Sequence, residues 1–226
     1  MSDALFITAS GTDAGKTLVA CALAHQARAA GRSVRVLKPV ATGFDAADAG
    51  ASDTAQLLTA AGQPVNADTI AACTPWRFPD PISPDMAAAR AGRTIDFDAL
   101  AGHCRAATGP DHLTLIEGIG GTMVPLTRDR TVRDLIKALD LPAVVVTGSY
   151  LGALSHTLTA VESLLMHGIA VRAVVVSESA ASPVPLVETC ATLAGFIPAP
   201  VLAIPRLAPG PRPWEAVPPL TACLAG

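Results

Sequence analysis

Short, uninterrupted apolar runs alternate along the chain with longer stretches rich in alanine and leucine, in which apolar positions recur at helical spacing. The apolar runs predict strands at residues 4–8, 33–37, 112–116, 143–147, 171–177 and 201–204. The longer stretches predict helices at residues 16–30, 53–61, 97–107, 132–139, 155–167 and 185–194. Near-continuous apolar strands separated by helices are typical of a parallel sheet that is covered on both faces. We therefore expect an α/β fold, a mostly parallel sheet with helices on both faces, in a single domain spanning residues 1–226.

The first predicted strand runs into a loop that ends Gly15-Lys16-Thr17 and opens a predicted helix. In this context glycine lets successive backbone N–H groups face an anion, lysine reaches the terminal phosphates, and the threonine hydroxyl can contact Mg²⁺. The regular spacing of such loops would place a glycine at position 10, where this chain has Ser10, and the nearest glycine is Gly11. The strand, loop and helix around the motif still predict a P-loop fold that binds a nucleoside triphosphate.

Polar side chains follow the second predicted strand, at the sheet edge where such folds bind their ligands. Lys38 comes directly after the strand and precedes a proline that fixes the turn, and Thr42 follows in the same loop. We expect both side chains to act at the site. Asp53 has two equally good interpretations, because Ser52-Asp53 is typical of a helix cap and the same carboxylate could bind a metal.

The third predicted strand ends in Glu117, which a cluster of glycines follows. A carboxylate at the end of a buried strand needs a cation or hydrogen-bond donors, because burying it unpaired is costly. In a phosphate-loop protein the expected partner is Mg²⁺. A tight turn would explain one glycine, so Gly118, Gly120 and Gly121 together indicate a close approach of the backbone to a ligand.

Composition narrows the class of protein. The chain has 226 residues, of which 50% are hydrophobic and 15% charged, and this suits one well-buried domain. A net charge of −3 without a basic run argues against a nucleic-acid partner, and the apolar runs are far shorter than a membrane span requires. The five cysteines are scattered and form no Cys-x-x-Cys pair, and no secretory signal is evident. We therefore expect reduced cysteines in a cytoplasmic protein.

In order and spacing, the motifs between about residues 4 and 205 resemble the dethiobiotin synthetase family. The resemblance is carried by Thr12, Asp13, Gly15-Lys16-Thr17, Lys38-Pro39-Val40-x-Thr42-Gly43, Ser52-Asp53, Ser83-Pro84, Glu117-Gly118-x-Gly120-Gly121 and Leu151-Gly152-x3-His156. It implies an ATP- and Mg²⁺-dependent reaction in which 7,8-diaminononanoate, CO₂ and ATP give dethiobiotin, ADP and phosphate. It also implies a homodimer that binds the diamine across the subunit interface.

The resemblance implies a role for each matching position. The residues implied in nucleotide binding are Thr12, Asp13, Ala14, Gly15, Lys16, Thr17, Leu18, Glu117, Gly118, Gly120, Ser177 and Pro205. The residues implied in Mg²⁺ binding are Asp13, Thr17, Asp53 and Glu117. The residues implied in substrate binding are Thr12, Lys38, Thr42, Gly120, Leu151, Gly152 and Ser155, the last three through the N–H groups of a helix start that would bind the carboxylate of the diamine from the other subunit. The residues implied in catalysis are Lys16, Lys38 and Thr42.

Some positions depart from the family pattern. Ser177-Glu178 stands where the family commonly has an asparagine that reads the adenine edge, and a single serine hydroxyl offers less discrimination between bases. Ser155 replaces an asparagine near the diamine carboxylate, and Ala9 replaces a glycine before the phosphate loop. The proline-rich tail from residue 208 contains no motif that predicts a role.

A dimerising ATPase switch of the ParA or MinD type is the alternative, because such switches share the expected fold and act on protein partners. They carry a lysine five residues before the lysine of the Gly-Lys pair, where this chain has Gly11. They also often end in a basic amphipathic helix for membranes, whereas residues 214–219 are expected to be neither basic nor helical. A nucleotide-binding module without catalysis also stays open.

Overall fold

The computed structural model describes residues 3–224. Its strands are β1 (Ala4–Ala9), β2 (Val34–Leu37), β3 (Val40–Thr42), β4 (Trp76–Phe78), β5 (Leu113–Glu117), β6 (Ala143–Gly148), β7 (Val171–Ser177) and β8 (Val201–Ile204). Its α-helices are α1 (Lys16–Ala29), α2 (Asp53–Ala60), α3 (Ala67–Cys73), α4 (Pro84–Arg90), α5 (Phe97–Ala107), α6 (Val132–Leu139), α7 (Ala153–Met166), α8 (Leu186–Ala194) and α9 (Thr221–Leu224). The main sheet has the order β2-β5-β1-β6-β7-β8, and its strands pair in parallel.

Alternate residues of β1 face two separate hydrophobic cores. Leu5, Ile7 and Ala9 pack in the core that contains α1, whereas Ala4 and Phe6 pack in the core that contains α5 and α6. Both faces of the sheet are therefore covered by helices. This burial is the reason that most residues of the strands are apolar, and the predicted α/β fold is confirmed.

The predicted strands and helices match the observed ones to within two residues at each end. The largest difference is at α7, which begins at Ala153, before the predicted start at Ser155. The prediction missed α3, α4, α9, β3 and β4. The strands β3 and β4 have three residues each and form a separate two-stranded sheet, with Val40 beside Trp76. Strands this short show no periodicity in the sequence.

The proline-rich tail packs against α1. Trp214, Val217, Leu220 and Cys223 are buried in the same core as α1. Gln26 of α1 donates its side-chain N–H to the carbonyl oxygen of Val217 at 3.2 Å and accepts the N–H of Leu220 at 2.8 Å. The tail thus has a structural role in covering one face of α1.

The expectation that residues 214–219 lack helical structure is wrong at their start, where Pro213–Ala216 form a 3₁₀ helix. Pro213 suits the first position of such a turn, and the turn places Trp214 in the core. Within residues 3–224, no helix combines the length and the apolar character that crossing a bilayer requires.

Candidate active site

The phosphate loop joins β1 to α1 with two residues in the left-handed region, Asp13 at φ 56° and Gly15 at φ 93°. Gly15 precedes the first helical residue, Lys16, and provides no side-chain cap. The first turn of a helix leaves its N–H groups without acceptors inside the helix. The loop therefore offers these N–H groups, and the positive end of the helix dipole, to an anion.

Ser10 occupies the position at which the regular motif has glycine, and the structure explains why a side chain fits there. Its N–H donates to the carbonyl oxygen of Val146 at 2.9 Å, so the backbone continues the pairing of β1 with β6. The Ser10 hydroxyl shares a hydrogen bond of 2.8 Å with the hydroxyl of Thr147, which accepts a further one from Thr157. The left-handed turn falls later in the loop, at Asp13.

A lysine and two carboxylates meet at the ends of β2, β5 and α2. Nζ of Lys38 donates to Oε1 of Glu117 at 2.6 Å and to Oδ2 of Asp53 at 2.7 Å. The hydroxyl of Thr17, in the first turn of α1, donates to the same Oε1 at 2.8 Å. Four side chains from separate parts of the sequence therefore form one hydrogen-bonded cluster beside the phosphate loop.

The two interpretations of Ser52-Asp53 apply to different residues of the pair. The side chain of Ser52 accepts the N–H of Ala55 at 3.2 Å and caps α2. Asp53 is the first residue of α2, and its carboxylate bonds to Lys38. The cap is therefore the serine, and the aspartate belongs to the charged cluster.

The charge state of the two lysines follows from their surroundings. Burial alone would lower the pKa of Lys38, but the carboxylates of Glu117 and Asp53 outweigh burial and raise it. Burial lowers the pKa of Lys16, with only partial compensation from Glu117. Nζ of Lys16 donates to the carbonyl oxygen of Gly11 at 3.4 Å, a long hydrogen bond. Lys38 is thus a firmly paired cation, whereas Lys16 is a buried cation that an anionic ligand would stabilise.

The cluster fits a magnesium ion that arrives together with phosphates. Oε2 of Glu117 is buried and has no hydrogen-bond partner in the described part of the chain. Thr17, Asp53 and Glu117 supply the hard oxygen ligands that Mg²⁺ prefers, and such sites commonly use one or two carboxylates, waters and substrate phosphates. Within residues 3–224, no group of three or more His, Cys, Asp or Glu side chains is arranged to hold a metal. Thr17, Asp53 and Glu117 would leave room in the coordination sphere for the phosphate oxygens and waters that such sites commonly use.

The glycines after β5 pack tightly against the phosphate loop. A Cβ at Gly121 would lie 3.2 Å from Cα of Gly11, and Gly120 has φ 59°. The hydroxyl of Thr122 donates to the carbonyl oxygen of Ala9 at 3.1 Å. These glycines therefore have reasons within the fold, in addition to the approach of a ligand that the sequence suggested.

A cavity of about 810 Å³ opens over the phosphate loop and the charged cluster. The predicted site residues that line it are Thr12, Asp13, Gly15, Lys16, Thr17, Lys38, Thr42, Asp53, Glu117 and Gly120. Asp45 and Asp48 also line it, and sequence reasoning missed them because their loop carries no motif. The structure thus brings together the residues implied in catalysis and in metal binding.

A second cavity, of about 290 Å³, adjoins the first at Asp13 and Gly15. Ala14 and Ser177, both implied in nucleotide binding, line it. The lining residues that sequence reasoning did not assign are Gly148, Tyr150, Glu178, Ser179, Ala180 and Arg206. The only sequence signal for them is the departure from the family pattern at Ser177-Glu178.

The remaining predicted residues lie outside the residues that line these two cavities. Leu18 packs against the core from α1, Gly118 is buried against Phe6, and Pro205 is exposed. The residues implied at the diamine carboxylate, Leu151, Gly152 and Ser155, are exposed around the start of α7.

Comparisons with known proteins agree with the geometry. A family model described as an AAA domain matches residues 3–209. The ATP-dependent dethiobiotin synthetase BioD of Phenylobacterium zucineum is 43% identical over 227 residues, covering 97% of this chain and 94% of that protein. This chain belongs to the dethiobiotin synthetase family. The synthetase of Methylobacterium nodulans is 51% identical over 187 residues, covering 80% of this chain and 83% of the relative. The synthetase of Acidiphilium cryptum is 52% identical over 189 residues, covering 81% of this chain and 83% of that protein.

Solved structures outside the synthetase family share the fold. The septum site-determining protein MinD with Mg-ADP from Pyrococcus horikoshii aligns with a TM-score of 0.55 at 17% identity, covering 91% of this chain and 82% of that chain. The signal recognition particle receptor FtsY from Elizabethkingia anophelis aligns with a TM-score of 0.51 at 14% identity. The alignment covers 98% of this chain and 63% of that chain. At these identities the likeness concerns the fold alone.

Proposed function

We propose that this chain closes the ureido ring of dethiobiotin from 7,8-diaminononanoate, CO₂ and ATP, with release of ADP and phosphate, as a ligase of biotin synthesis. The observation that carries the proposal is that the phosphate loop and the cluster of Lys38, Asp53 and Glu117 line one cavity. Synthetase relatives of 43% to 52% identity support it. The ParA or MinD alternative has only a likeness of fold in its favour.

The proposed chemistry needs positive charge at two places. One neutral diamine nitrogen adds to CO₂ and loses a proton to solvent, and the resulting anionic carbamate repels the triphosphate. A carbamate oxygen then attacks the γ-phosphorus and ADP leaves; the second amine attacks the carbamoyl carbon, phosphate leaves and the nitrogen loses a proton. No protein nucleophile is required, so positioning and charge neutralisation supply the acceleration.

The chain's own residues fit these tasks. Lys16, whose buried ammonium makes a long hydrogen bond to the carbonyl oxygen of Gly11, would bind the terminal phosphates. Lys38, which its carboxylate partners keep charged, would contact the carbamate and the transferred phosphoryl group together with Thr42, at the end of β3. The implied contacts of Thr12, Ala14, Gly15, Leu18, Gly118, Gly120, Ser177 and Pro205 with the nucleotide are part of the proposal.

We propose that Asp13, Thr17, Asp53 and Glu117 hold Mg²⁺. The Oε2 of Glu117, which is buried and finds no hydrogen-bond partner among residues 3–224, supports this assignment. When bound, the ion would offset the negative charge of the β- and γ-phosphates.

We propose a homodimer in which the start of α7 binds the diamine carboxylate from the other subunit. Leu151 is 86% exposed and Leu154 37% exposed, which makes this surface apolar. The N–H of Ala153 already donates to the carbonyl oxygen of Tyr150 at 3.0 Å, so the neighbouring N–H groups are those we assign to the carboxylate. A cytoplasmic location, without nucleic-acid or membrane partners, completes the proposal.

The test is ADP release with diamine and bicarbonate supplied together or singly, and with the product identified by mass. We expect ADP and dethiobiotin only when both are present. Lys137→Ala, on α6, is the matched control for Lys38→Ala and should keep this activity. ADP release that is indifferent to the diamine would instead support an ATPase switch. Sedimentation should give a dimer, which Leu151→Glu should weaken.

A further inference from the structure

The cavity of about 290 Å³ beside the phosphate loop lies at the carboxyl ends of β6 and β7. Ser177, which lines the cavity, lies close to the phosphate loop, because a Cβ at Gly15 would lie 3.2 Å from Oγ of Ser177. Asp13 and Gly15 line this cavity and the larger one alike. A nucleotide whose phosphates lie on the loop therefore has this cavity within reach of its base, at the edge of the sheet where such folds bind ligands.

Glu178 is fixed at both its main chain and its side chain. Its N–H donates to the carbonyl oxygen of Ile204 at 2.9 Å, and its Oε2 accepts the main-chain N–H of Arg206 at 2.8 Å. The side chain thus reaches from the end of β7 to the segment after β8. One carboxylate oxygen is engaged by the protein, and the group has Oε1 as a further acceptor.

The neighbouring side chains are fixed to other partners. Oγ of Ser179 accepts the N–H of Ser149 at 3.0 Å, while the N–H of Ser179 donates to Oγ of Ser149 at 2.9 Å. The hydroxyl of Tyr150 shares a hydrogen bond of 3.0 Å with Nδ1 of His156, which holds the ring at the cavity wall. A flat ring and a fixed carboxylate acceptor are the features that recognise a planar base with a hydrogen-bond donor at its edge.

We propose that Glu178 determines nucleobase specificity by accepting a hydrogen bond from the exocyclic amino group of the base. Adenine N6 and cytosine N4 donate at this edge, whereas keto bases present an oxygen there. A keto oxygen facing the carboxylate would leave both acceptors without a proton between them. The chain therefore prefers amino bases to keto bases, a selection that the Ser177 hydroxyl, which can donate or accept, does not provide. The inference rests on the proposed nucleotide-dependent function.

The test compares nucleotides that exchange the amino group for a keto oxygen, ATP with ITP and CTP with UTP. Binding is measured by competition against a fluorescent ATP analogue, and turnover by dethiobiotin formation. We expect each amino nucleotide to bind at least about tenfold more tightly than its keto counterpart. Equal affinity within both pairs, or a preference for ITP and UTP, would overturn the proposal.

Glu178→Gln gives a sharper prediction. The amide oxygen can keep the bond from the N–H of Arg206, and the amide then presents an N–H donor to the base. The ATP to ITP affinity ratio should fall by about tenfold or more, toward or past unity. Arg206→Ala is the matched control, because it retains the main-chain N–H and should retain the preference.

The outcomes separate this inference from the proposed function. An unchanged ATP to ITP affinity ratio in Glu178→Gln would show that Glu178 does not determine nucleobase specificity. An equal fall of this ratio in Arg206→Ala would show the same. Failure of every nucleotide to support dethiobiotin formation would reject the proposed reaction, whereas the binding ratios would still decide the role of Glu178.

Discussion

Nζ of Lys38 lies 2.6 Å from Oε1 of Glu117, and the two side chains are 7% and 1% exposed. Glu117, the carboxylate that we assign to Mg²⁺, is thus already paired with the positive charge of Lys38. Asp53, the second partner of Lys38, is 48% exposed, so the lysine has one buried and one solvated anion.

This buried pair predicts strong coupling in stability. Lys38→Met leaves a buried carboxylate without its cation, and Glu117→Gln leaves the lysine with only the half-exposed Asp53. Each change should lower the free energy of unfolding by up to about 3–5 kcal/mol, while the double variant should lose far less than the sum. Urea unfolding of the four proteins measures this. Additive losses would mean that the two charges do not depend on each other.

Lys38→Ala should act on rate rather than on nucleotide affinity, because the lysine is assigned to the carbamate and the transferred phosphoryl group. We expect turnover to fall by at least about tenfold, or about 1.4 kcal/mol in the barrier, with little change in the nucleotide dissociation constant. Steady-state kinetics and calorimetric titration check the two quantities. A loss confined to ATP affinity would assign Lys38 to the nucleotide site.

Glu117→Gln and Asp53→Asn should both raise the Mg²⁺ concentration required for half-maximal activity, since each removes a charged oxygen ligand while keeping the shape. Titration of ADP release with Mg²⁺ measures the shift. If each variant loses activity by the same factor at limiting and at saturating Mg²⁺, these carboxylates do not bind the metal.

Lys16→Met should separate function from folding. Its ammonium is buried, with a long bond to Gly11, so removing the charge relieves a desolvation cost. We expect unfolding stability to stay within about 0.5 kcal/mol of the wild type or to rise. Turnover should fall by at least about a hundredfold, with weaker nucleotide binding, because the phosphates lose their cation. Wild-type ADP release in this variant would contradict the assignment.

The capping box that opens α6 predicts a pH-dependent contribution to stability. Thr131 donates its N–H and its hydroxyl to Oδ2 of Asp134 at 2.7 and 2.8 Å. Burial alone would raise the pKa of Asp134, but these bonds outweigh it and hold the pKa below the ordinary 3.8. The folded state therefore favours the carboxylate, a contribution that is present above the ordinary pKa and lost as pH falls through the folded one.

Asp134→Ala removes the two hydrogen bonds from Thr131 and should accordingly cost about 1 kcal/mol of unfolding free energy at neutral pH. The difference from the wild type should shrink as pH falls below the ordinary value of 3.8. Urea unfolding at several pH values tests this, with Asp111→Ala, in the exposed loop before β5, as the control. A difference that does not vary with pH would assign the effect to packing alone.

The fold was predictable from sequence wherever an apolar run or a helical spacing of apolar residues was long enough to recognise. The strands of the main sheet and the helices that cover them meet this condition, whereas β3 and β4 are three residues each and depend on a pairing between distant segments. The meeting of Lys38 and Glu117 was predictable, because Lys38 directly follows one strand of a parallel sheet and Glu117 ends another. That Asp53 is the second partner of Lys38 depends on how α2 packs beside β2, which no local pattern encodes.

The lining of the cavity of about 290 Å³ beside the phosphate loop was not predictable from sequence either. The bond from Arg206 to Glu178 joins residues 28 positions apart, and neither belongs to a motif. The roles of the individual site residues toward nucleotide, metal and diamine stay predictions, which the variants above test.

The four buried residues of the tail, Trp214, Val217, Leu220 and Cys223, follow one another at intervals of three. Both the 3₁₀ helix and the polyproline conformation have three residues per turn, so either one places such residues along a single side of the chain. Pro218 and Pro219 lie between two of these anchors and already restrict the unfolded chain. The tail therefore loses less conformational entropy when it docks on α1 than an ordinary segment of its length. Apolar residues at every third position between prolines would indicate a similar segment packed on a helix in other chains. A search for helical or strand periodicity would not detect such a segment.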